Sequence, residues 1–381
     1  MDELLNYFMQ ANREEGLADF EQRAWYQTWL NRAFGMMLVE QNLLSKEDYQ
    51  KIDRGLVSVQ ARETMERFKN AAPGMDIYFY YENALYEEIG MDTACKLHVG
   101  RSRNDIYFTL WRMSLREAAL HLMEEAVETQ KAIEKHASEN LDTIIPFYTY
   151  GQPAQPGTWA HYLMTIHAYL ESDLERLRHA YATINKCPMG AAAGIGTAFH
   201  LNKYRVAELL GFDGTLENTT VANAAADYFL ELISDMAILN TTLGRVGSDL
   251  AFFSSAECNI LDGDAAVCSG SSIMQQKKNY DPGSTLRSRA SHFYSYLSDA
   301  MTSAGSVTMF PDHTIFDYYP AFSKNLENVV VVSPDHGGTT RARRLADCLN
   351  AWPWITRRSA KMSPTCAQET ASPQQPIWPS S

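Results

Sequence analysis

Two long stripes of apolar side chains constrain the fold of this chain more than any other feature of its sequence. In the first, apolar residues recur every three or four positions from Trp159 to Ile184, which places them on one face of a helix. The second keeps this interval from Phe229 to Phe253, and at ~1.5 Å per residue its helix would be on the order of 40 Å long. Such helices bury their stripes against other helices. The sequence therefore predicts an all-α protein with a core bundle of long helices.

The segments beside these helices carry turn signals. Residues 188–196 are small and rich in glycine, and residues 263–283 combine glycine, serine and proline, so both are predicted to be loops. Strand signals are scarce. The aromatic cluster at residues 77–81 lacks a polar alternation and is compatible with either a strand or a helix.

Charge and hydropathy exclude several classes of protein. The 381 residues include 46 acidic and 33 basic side chains, a net charge of −13, which argues against sequence-independent binding of nucleic acid. No run of about 18 apolar residues is present, so we expect no membrane association. A secretory signal has a basic stretch followed by an apolar block, whereas the N-terminal residues here are acidic. This predicts a cytoplasmic protein without a secretory signal. Six cysteines without a Cys-x-x-Cys pair predict free thiols and no metal site.

The composition changes near residue 332. Residues 333–381 hold six of the 14 prolines and carry a charge of +3, against the negative balance of the remainder. We expect an irregular tail there, with a shifted reading frame or a replaced terminus as its hypothetical origin. The predicted organisation is a small N-terminal helical domain over residues 1–76, a central long-helix bundle over 77–305, a partial C-terminal region over 306–332, and this tail.

Three polar, glycine-bearing segments differ from ordinary helix surface, namely residues 98–105, 149–156 and 269–279. Each has an ordinary structural interpretation when taken alone. The first is typical of a helix N-terminus, the second of a proline-rich connection, and the third of a basic surface loop.

Taken together, the segments resemble the signature regions of the aspartase and fumarase superfamily, and most closely those of argininosuccinate lyase. The run Gly-Arg-Ser-Arg-Asn-Asp is intact at residues 100–105, and the loop Gly-Ser-Ser-x-Met-x-x-Lys-x-Asn is intact at residues 270–279. The resemblance covers roughly residues 20–305. It implies a long-helix bundle and a carbon-nitrogen lyase that releases fumarate from an N-succinyl amino acid or amine by β-elimination, with no cofactor.

The resemblance also implies roles for individual residues. Ser271 would be the base that removes the proton, and Lys277 would stabilise the negative charge that develops. Arg103 would hold a carboxylate of a small anionic substrate through two parallel hydrogen bonds. The other substrate-binding residues implied are Ser102, Asn104, Thr149, Gln155 and Asn279.

The sequence departs from the family at several positions. Tyr150 stands where the family has a histidine, and Ser284 stands where that histidine's carboxylate partner is expected. Tyr150 is either a proton donor to the departing amine or a packing residue. Tyr78 replaces another family histidine, and residues 309–314 retain only Asp312 of the run that recognises the arginine end of argininosuccinate. The amine leaving group is therefore left open.

The family builds each active site from three subunits of a homotetramer, so we expect oligomerisation. The alternative is a catalytically impaired or non-enzymatic, crystallin-like homologue with an altered C-terminus, which the changed tail and missing histidine favour. Nucleotide binding through Gly194 and Gly196 is a weaker alternative, because no strand signal precedes them.

Overall fold

A computed structural model describes residues 20–71 and 75–312 of the chain. Most of these residues are helical, which confirms the predicted fold class. The α-helices are α1 (Phe20–Glu40), α2 (Lys46–Arg62), α3 (Met65–Lys69), α4 (Ile77–Ile89), α5 (Met91–Ala94), α6 (Arg103–Ser138), α7 (Trp159–Ile184), α8 (Lys203–Leu209), α9 (Thr219–Ala224), α10 (Asp227–Phe253) and α11 (Asp281–Ser306). Two antiparallel hairpins, β1 (Ile144–Thr149) with β2 (Gln152–Thr158) and β3 (Cys268–Gly270) with β4 (Lys278–Tyr280), accompany them.

The two apolar stripes lie on α7 and α10, as predicted. Leu163, Leu170 and Leu177 of α7 are buried, as are Phe229 and Ile233 of α10. The aromatic cluster that the sequence left undecided is helical and forms the first turns of α4. Asp76 caps this helix, because its side chain accepts a hydrogen bond from the Tyr78 amide at 2.7 Å.

The chain forms two compact units that both draw on the long helices. The first consists of the described parts of Met1–Glu124, Asp173–Ile238 and His292–Val330, and the second of those of Glu125–Ser172, Leu239–Ser291 and Val331–Ser381. The boundaries expected at residues 76, 305 and 332 stay predictions. The tail at residues 333–381 lies outside the described residues.

A buried arginine joins three helices of the first unit. Arg112 of α6 donates hydrogen bonds to the carbonyls of Thr183 and Ile184 at 2.9 and 3.0 Å, and so satisfies the end of α7. Its guanidinium lies 3.7 Å from the ring centroid of Tyr228 on α10. Because a buried charge needs such partners, Arg112 fixes how these helices pack at this point.

Two glycines allow a close helix crossing in the second unit. A Cβ atom on Gly247 of α10 would lie 2.7 Å from the carbonyl oxygen of Gly283 on α11, and one on Gly283 would lie 2.9 Å from the Ala251 amide. Helix α11 begins at Asp281, so Pro282 and Gly283 belong to its first turn rather than to the loop predicted over residues 263–283. Proline is compatible with this position because the first-turn N–H has no helical partner.

The hairpin β1–β2 was not predicted, since residues 149–156 carry two prolines. Its register pairs Ile145 with Gly157 and Phe147 with Gln155, and the register shifts after Phe147. A Cβ atom on Gly157 would lie 2.3 Å from the Phe147 ring, so glycine is required there. The prolines are tolerated because a two-stranded ribbon has only edge strands.

Candidate active site

The first signature segment forms the N-terminus of α6, where a capping box organises it. The Ser102 hydroxyl accepts a hydrogen bond from the Asn104 amide at 3.3 Å. In return the Asp105 carboxylate accepts one from the Ser102 amide at 2.9 Å. This reciprocal pair has the Ser-x-x-acid spacing of a capping box, with aspartate at the third helical position. The predicted residues Ser102, Arg103 and Asn104 therefore lie together in one fixed turn.

Arg103 is exposed and held by two neighbours from the start of α4. Its Nη1 lies 3.3 Å from an oxygen of Asp76, and its guanidinium carbon lies 4.7 Å from the centroid of the Phe79 ring. Among the described residues, Asp76 is the one hydrogen-bond partner of this side chain. A guanidinium has five N–H donors in a planar fork, so Arg103 can still bind a substrate carboxylate in a bidentate manner.

The Asp105 carboxylate joins this turn to the glycine-rich loop at residues 188–196, which lies outside the helices as predicted. Its second oxygen accepts hydrogen bonds from the amides of Gly190 and Ala192 at 3.2 and 2.9 Å. Asp105 is fully buried, and burial raises the pKa of its carboxyl to about 6 against the opposing effect of the backbone hydrogen bonds and Arg101. The same loop accepts a hydrogen bond from the Asn104 side chain at the carbonyl of Ala193.

Tyr78, which stands where the family has a histidine, lies beside His98. The Tyr78 hydroxyl is 2.5 Å from His98 Nε2, and that nitrogen also pairs with Glu82. Burial raises the pKa of Tyr78 to about 12, so its hydroxyl stays protonated near neutrality. This cluster is a hydrogen-bonded part of the first unit.

The second signature segment forms the tip and return strand of the first hairpin. Thr149 ends β1, Tyr150 and Gly151 form the two-residue turn, and Gln155 lies in β2. Tyr150 is fully exposed and has φ of 52°, while Gly151 has φ of 73°. Positive φ at both positions is what a type I′ hairpin turn requires, and it is unfavourable for tyrosine.

The third signature segment is a loop held at its base by the short ladder between β3 and β4. The ladder pairs Ser269 with Asn279 and Gly270 with Lys278. Two side-chain contacts reinforce the base: Ser269 donates to Asp281 at 2.8 Å, and Lys278 lies 2.9 Å from Asp262. Between the strands, Ser271 is half-buried and residues 272–277 are exposed.

Within this loop the Ser271 hydroxyl oxygen accepts hydrogen bonds from the backbone. The donors are the amides of Ile273 and Met274, at 3.3 and 3.2 Å. Lys277 is exposed on the same loop, and its own amide donates to the Met274 carbonyl at 3.1 Å. The loop and its closing strand therefore carry Ser271, Lys277 and Asn279, which are three of the predicted site residues.

The predicted residues thus fall into three local groups. The group around Arg103 belongs to the first unit, whereas the hairpin and the serine loop belong to the second. Sequence reasoning missed Asp76, Phe79 and Asp105. The Ser-x-x-Asp spacing was a local signal for Asp105, but the contacts of Asp76 and Phe79 with Arg103 arise only in the folded chain.

Residues 20–71 and 75–312 show neither a metal centre nor a membrane-spanning helix. They contain no cluster of three or more histidine, cysteine, aspartate and glutamate side chains arranged to hold a metal ion. None of their helices has the length and apolarity needed to cross a bilayer. Cys95, Cys187, Cys258 and Cys268 are free thiols, as expected, whereas Cys348 and Cys366 lie outside the described residues.

The chain is similar to known proteins that are all lyases. A family model described as lyase matches residues 4–291. Argininosuccinate lyase of Methanosarcina barkeri is 36% identical over 297 residues, which cover 78% of this chain and 60% of the relative. That of Methanocaldococcus jannaschii is 38% identical over 268 residues, covering 70% and 55%. The chain thus spans less than two thirds of the length of these curated relatives.

Solved structures agree with this result. An EDDS lyase variant with bound fumarate has a TM-score of 0.71 at 32% identity, over 88% of this chain and 68% of that one. A fumarate lyase:delta crystallin of Brucella melitensis has a TM-score of 0.73 at 17% identity, over 93% and 85%. The second likeness is one of fold alone.

Proposed function

Because the chain belongs to the lyase family, as an argininosuccinate lyase-like member of the aspartase and fumarase superfamily, we propose that it is a carbon-nitrogen lyase. The reaction is the β-elimination of an N-succinyl amino acid or amine, with release of fumarate. The two curated relatives are argininosuccinate lyases and the 32%-identical structure is an EDDS lyase, so the substrate class is a small succinylated amine.

The arrangement of the serine loop is the observation that supports this proposal most strongly. A free serine is a very weak base. The amides of Ile273 and Met274 both donate to the Ser271 oxygen, and such donors stabilise an alkoxide more than a neutral hydroxyl. Lys277 adds positive charge to the same loop. These features favour the ionised form of Ser271, which is the form that removes a proton.

The elimination then proceeds in two movements of electrons. Ser271 takes the proton from the carbon next to a carboxylate, and the C–H electron pair moves into that carboxylate and doubles its negative charge. The pair then returns to form the carbon-carbon double bond, and the carbon-nitrogen bond breaks. We assign stabilisation of the doubly charged carboxylate to Lys277 and Asn279, and binding of the succinyl part to Ser102, Arg103 and Asn104.

Departure of the amine requires a proton, and we assign its delivery to Tyr150. The tyrosine stands at the exposed tip of a hairpin that also carries Thr149 and Gln155, which we assign to substrate binding. A phenol hydroxyl carries a proton that it can donate to an amine as the carbon-nitrogen bond breaks.

The exposure of the side chains assigned to the reaction supports an active site that is formed by several copies of this chain. Tyr150, Lys277 and Gln155 are all exposed in the single chain, although the elimination needs a pocket from which water is excluded. We therefore propose the homotetramer that the family resemblance implies. A cytoplasmic location stays a proposal that rests on the sequence.

The decisive experiment measures fumarate by its ultraviolet absorbance. Purified protein is incubated with argininosuccinate, EDDS and simple N-succinyl amino acids. We expect fumarate from at least one compound, and a loss of kcat of about a thousandfold or more in Ser271→Ala. Ser272→Ala is the matched control, because this neighbour is exposed on the same loop and should keep most of the activity. Full activity in Ser271→Ala would remove Ser271 as the base.

A further inference from the structure

The buried carboxylate of Asp105 is an unusual feature at the edge of the candidate site. Its two oxygens accept three backbone hydrogen bonds from two separate segments, from Ser102 on one side and from Gly190 and Ala192 on the other. The carboxylate is fully buried, which is costly for a charged group. A fold that only needed to cap α6 would meet that need with one of these oxygens.

The loop that Asp105 holds is itself in a conformation that needs support. Ala192 has φ of 50°, a region that residues other than glycine seldom adopt, and Gly190 has φ of 98°. Ala192 is fixed from both sides, because its amide donates to Asp105 at 2.9 Å and its carbonyl accepts from the Asn223 side chain at 2.6 Å. Several hydrogen bonds therefore determine the position of this loop.

The loop in turn contacts Asn104, a residue that we assign to substrate binding. The Asn104 side chain donates to the Ala193 carbonyl at 3.5 Å, one residue after the fixed Ala192. Asn104 and Arg103 also depend on Asp105 through the turn that it closes with the Ser102 amide. Asp105 thus acts on the same residues by two routes, through the helix terminus and through the loop.

We propose that Asp105 is a positioning residue, whose buried carboxylate clamps the 190–193 backbone to the start of α6 and so sets Arg103 and Asn104 in place for a carboxylate of the substrate. This proposal rests on the proposed function. The charged and titratable groups that face Asp105 are Arg101, Tyr78 and Cys187, and Arg101 is the one that favours the carboxylate.

The test replaces the clamp by a group of the same shape. Asp105→Asn keeps one oxygen acceptor but turns an NH₂ group towards amides that are themselves donors, so it cannot hold both segments. Hydrogen exchange followed by mass spectrometry should then be faster in peptides that contain the Ser102, Gly190 and Ala192 amides. For the reaction, we expect KM to rise about tenfold or more, with kcat changing much less.

The matched control is Asp173→Asn, which alters another buried carboxylate that pairs with Arg176 on α7. It should lower stability without changing KM or the exchange of those peptides. If Asp105→Asn does not fold, Asn223→Ala loosens the same loop from its other side and should also raise KM, and an unchanged KM in that variant would overturn the proposal.

The remaining outcomes separate the two proposals. Unchanged exchange in Asp105→Asn, or faster exchange with KM and kcat unchanged, would show that Asp105 does not position the site. If the wild-type chain forms no fumarate from any compound, the proposed function fails, while the exchange of the two peptides still decides whether Asp105 clamps them.

Discussion

At the residue scale, the side chain of Arg103, which we assign to substrate binding, is held by its neighbours rather than presented freely. Arg103 lies against Asp76 and the Phe79 ring, so its guanidinium is oriented before any substrate binds. Pre-orientation lowers the entropy that binding would otherwise cost. An incoming carboxylate must also share the guanidinium with Asp76. We expect it to bind through two parallel hydrogen bonds rather than through a single contact.

Arg103→Lys tests this geometry because it keeps the charge but removes the planar fork. We expect KM to rise by about tenfold or more while kcat changes less, since a point charge cannot make two parallel hydrogen bonds to a carboxylate. Steady-state assays of fumarate formation measure both constants. Arg178→Lys is the control, because within the described part of the chain Arg178 pairs with Glu175 alone, on the surface of α7. A KM equal to that of wild type would contradict the assignment of Arg103.

At the element scale, two local features affect stability in ways that the sequence alone does not show. One is the turn at Tyr150 and Gly151, where a tyrosine occupies a left-handed conformation. The other is the crossing of α10 and α11, where Gly247 and Gly283 bring two backbones into contact. The first is unfavourable for stability and the second supports it, so substitutions there should act in opposite directions.

Tyr150→Asn should stabilise the chain while it impairs the reaction. Asn-Gly is a preferred pair for a type I′ turn, so relief of the left-handed tyrosine should raise the free energy of unfolding by about 1 kcal/mol. Fumarate formation should fall because the proton donor is lost. Urea unfolding and the fumarate assay measure the two effects.

Tyr150→Phe is the matched variant for that experiment. It keeps the ring and the strained turn but removes the hydroxyl, so activity should fall without a gain in stability. Full activity in this variant would show that Tyr150 does not deliver the proton.

Gly247→Ala should destabilise the second unit. Its Cβ atom would lie 2.7 Å from the Gly283 oxygen and 2.8 Å from the Arg287 amide, and such overpacking costs about 1 to 3 kcal/mol. Gly305→Ala is the control on α11, because beyond the adjacent helix backbone no atom of the described residues lies within 4 Å of its added Cβ. That substitution should stabilise by roughly 0.5 to 1 kcal/mol. Equal denaturant midpoints for the two variants would contradict the close crossing.

At the scale of the whole molecule, the distribution of the site residues is the main feature. Ser102, Arg103 and Asn104 lie in one unit, and the hairpin and serine loop lie in the other, with most of these side chains exposed. A water-poor pocket therefore requires that further protein surface covers these residues. In the proposed symmetric oligomer, other copies of this chain provide that surface. Each site would then combine segments of different copies.

Mixing two impaired variants tests this arrangement. Ser271→Ala and Arg103→Ala are unfolded together and refolded, each variant also being treated alone. If Ser271 and Arg103 of one site come from different copies, random assembly should give about a quarter of the sites both wild-type residues. Fumarate formation should then recover in the mixture only. No recovery would indicate that each chain supplies both residues to its own site.

The sequence by itself determined the two long striped helices and the positions of the polar signature segments. The stripes on α7 and α10 follow from a three-to-four residue periodicity, which depends only on neighbours along the chain. The signatures at residues 100–105 and 270–279 are runs of consecutive residues, so they too can be recognised without knowledge of the fold. The hairpin also had local signals, a β-branched and aromatic run before a Tyr-Gly pair, but the prolines after it favoured a connection.

Only the tertiary structure decided how those segments are supported. Asp105 meets Gly190 and Ala192 across 85 and 87 residues of chain, and Arg103 meets Asp76 across 27. No periodicity links positions so far apart, because the contacts depend on how complete helices pack. The sequence therefore shows which groups are available for chemistry, while the packing of the helices sets where they are held.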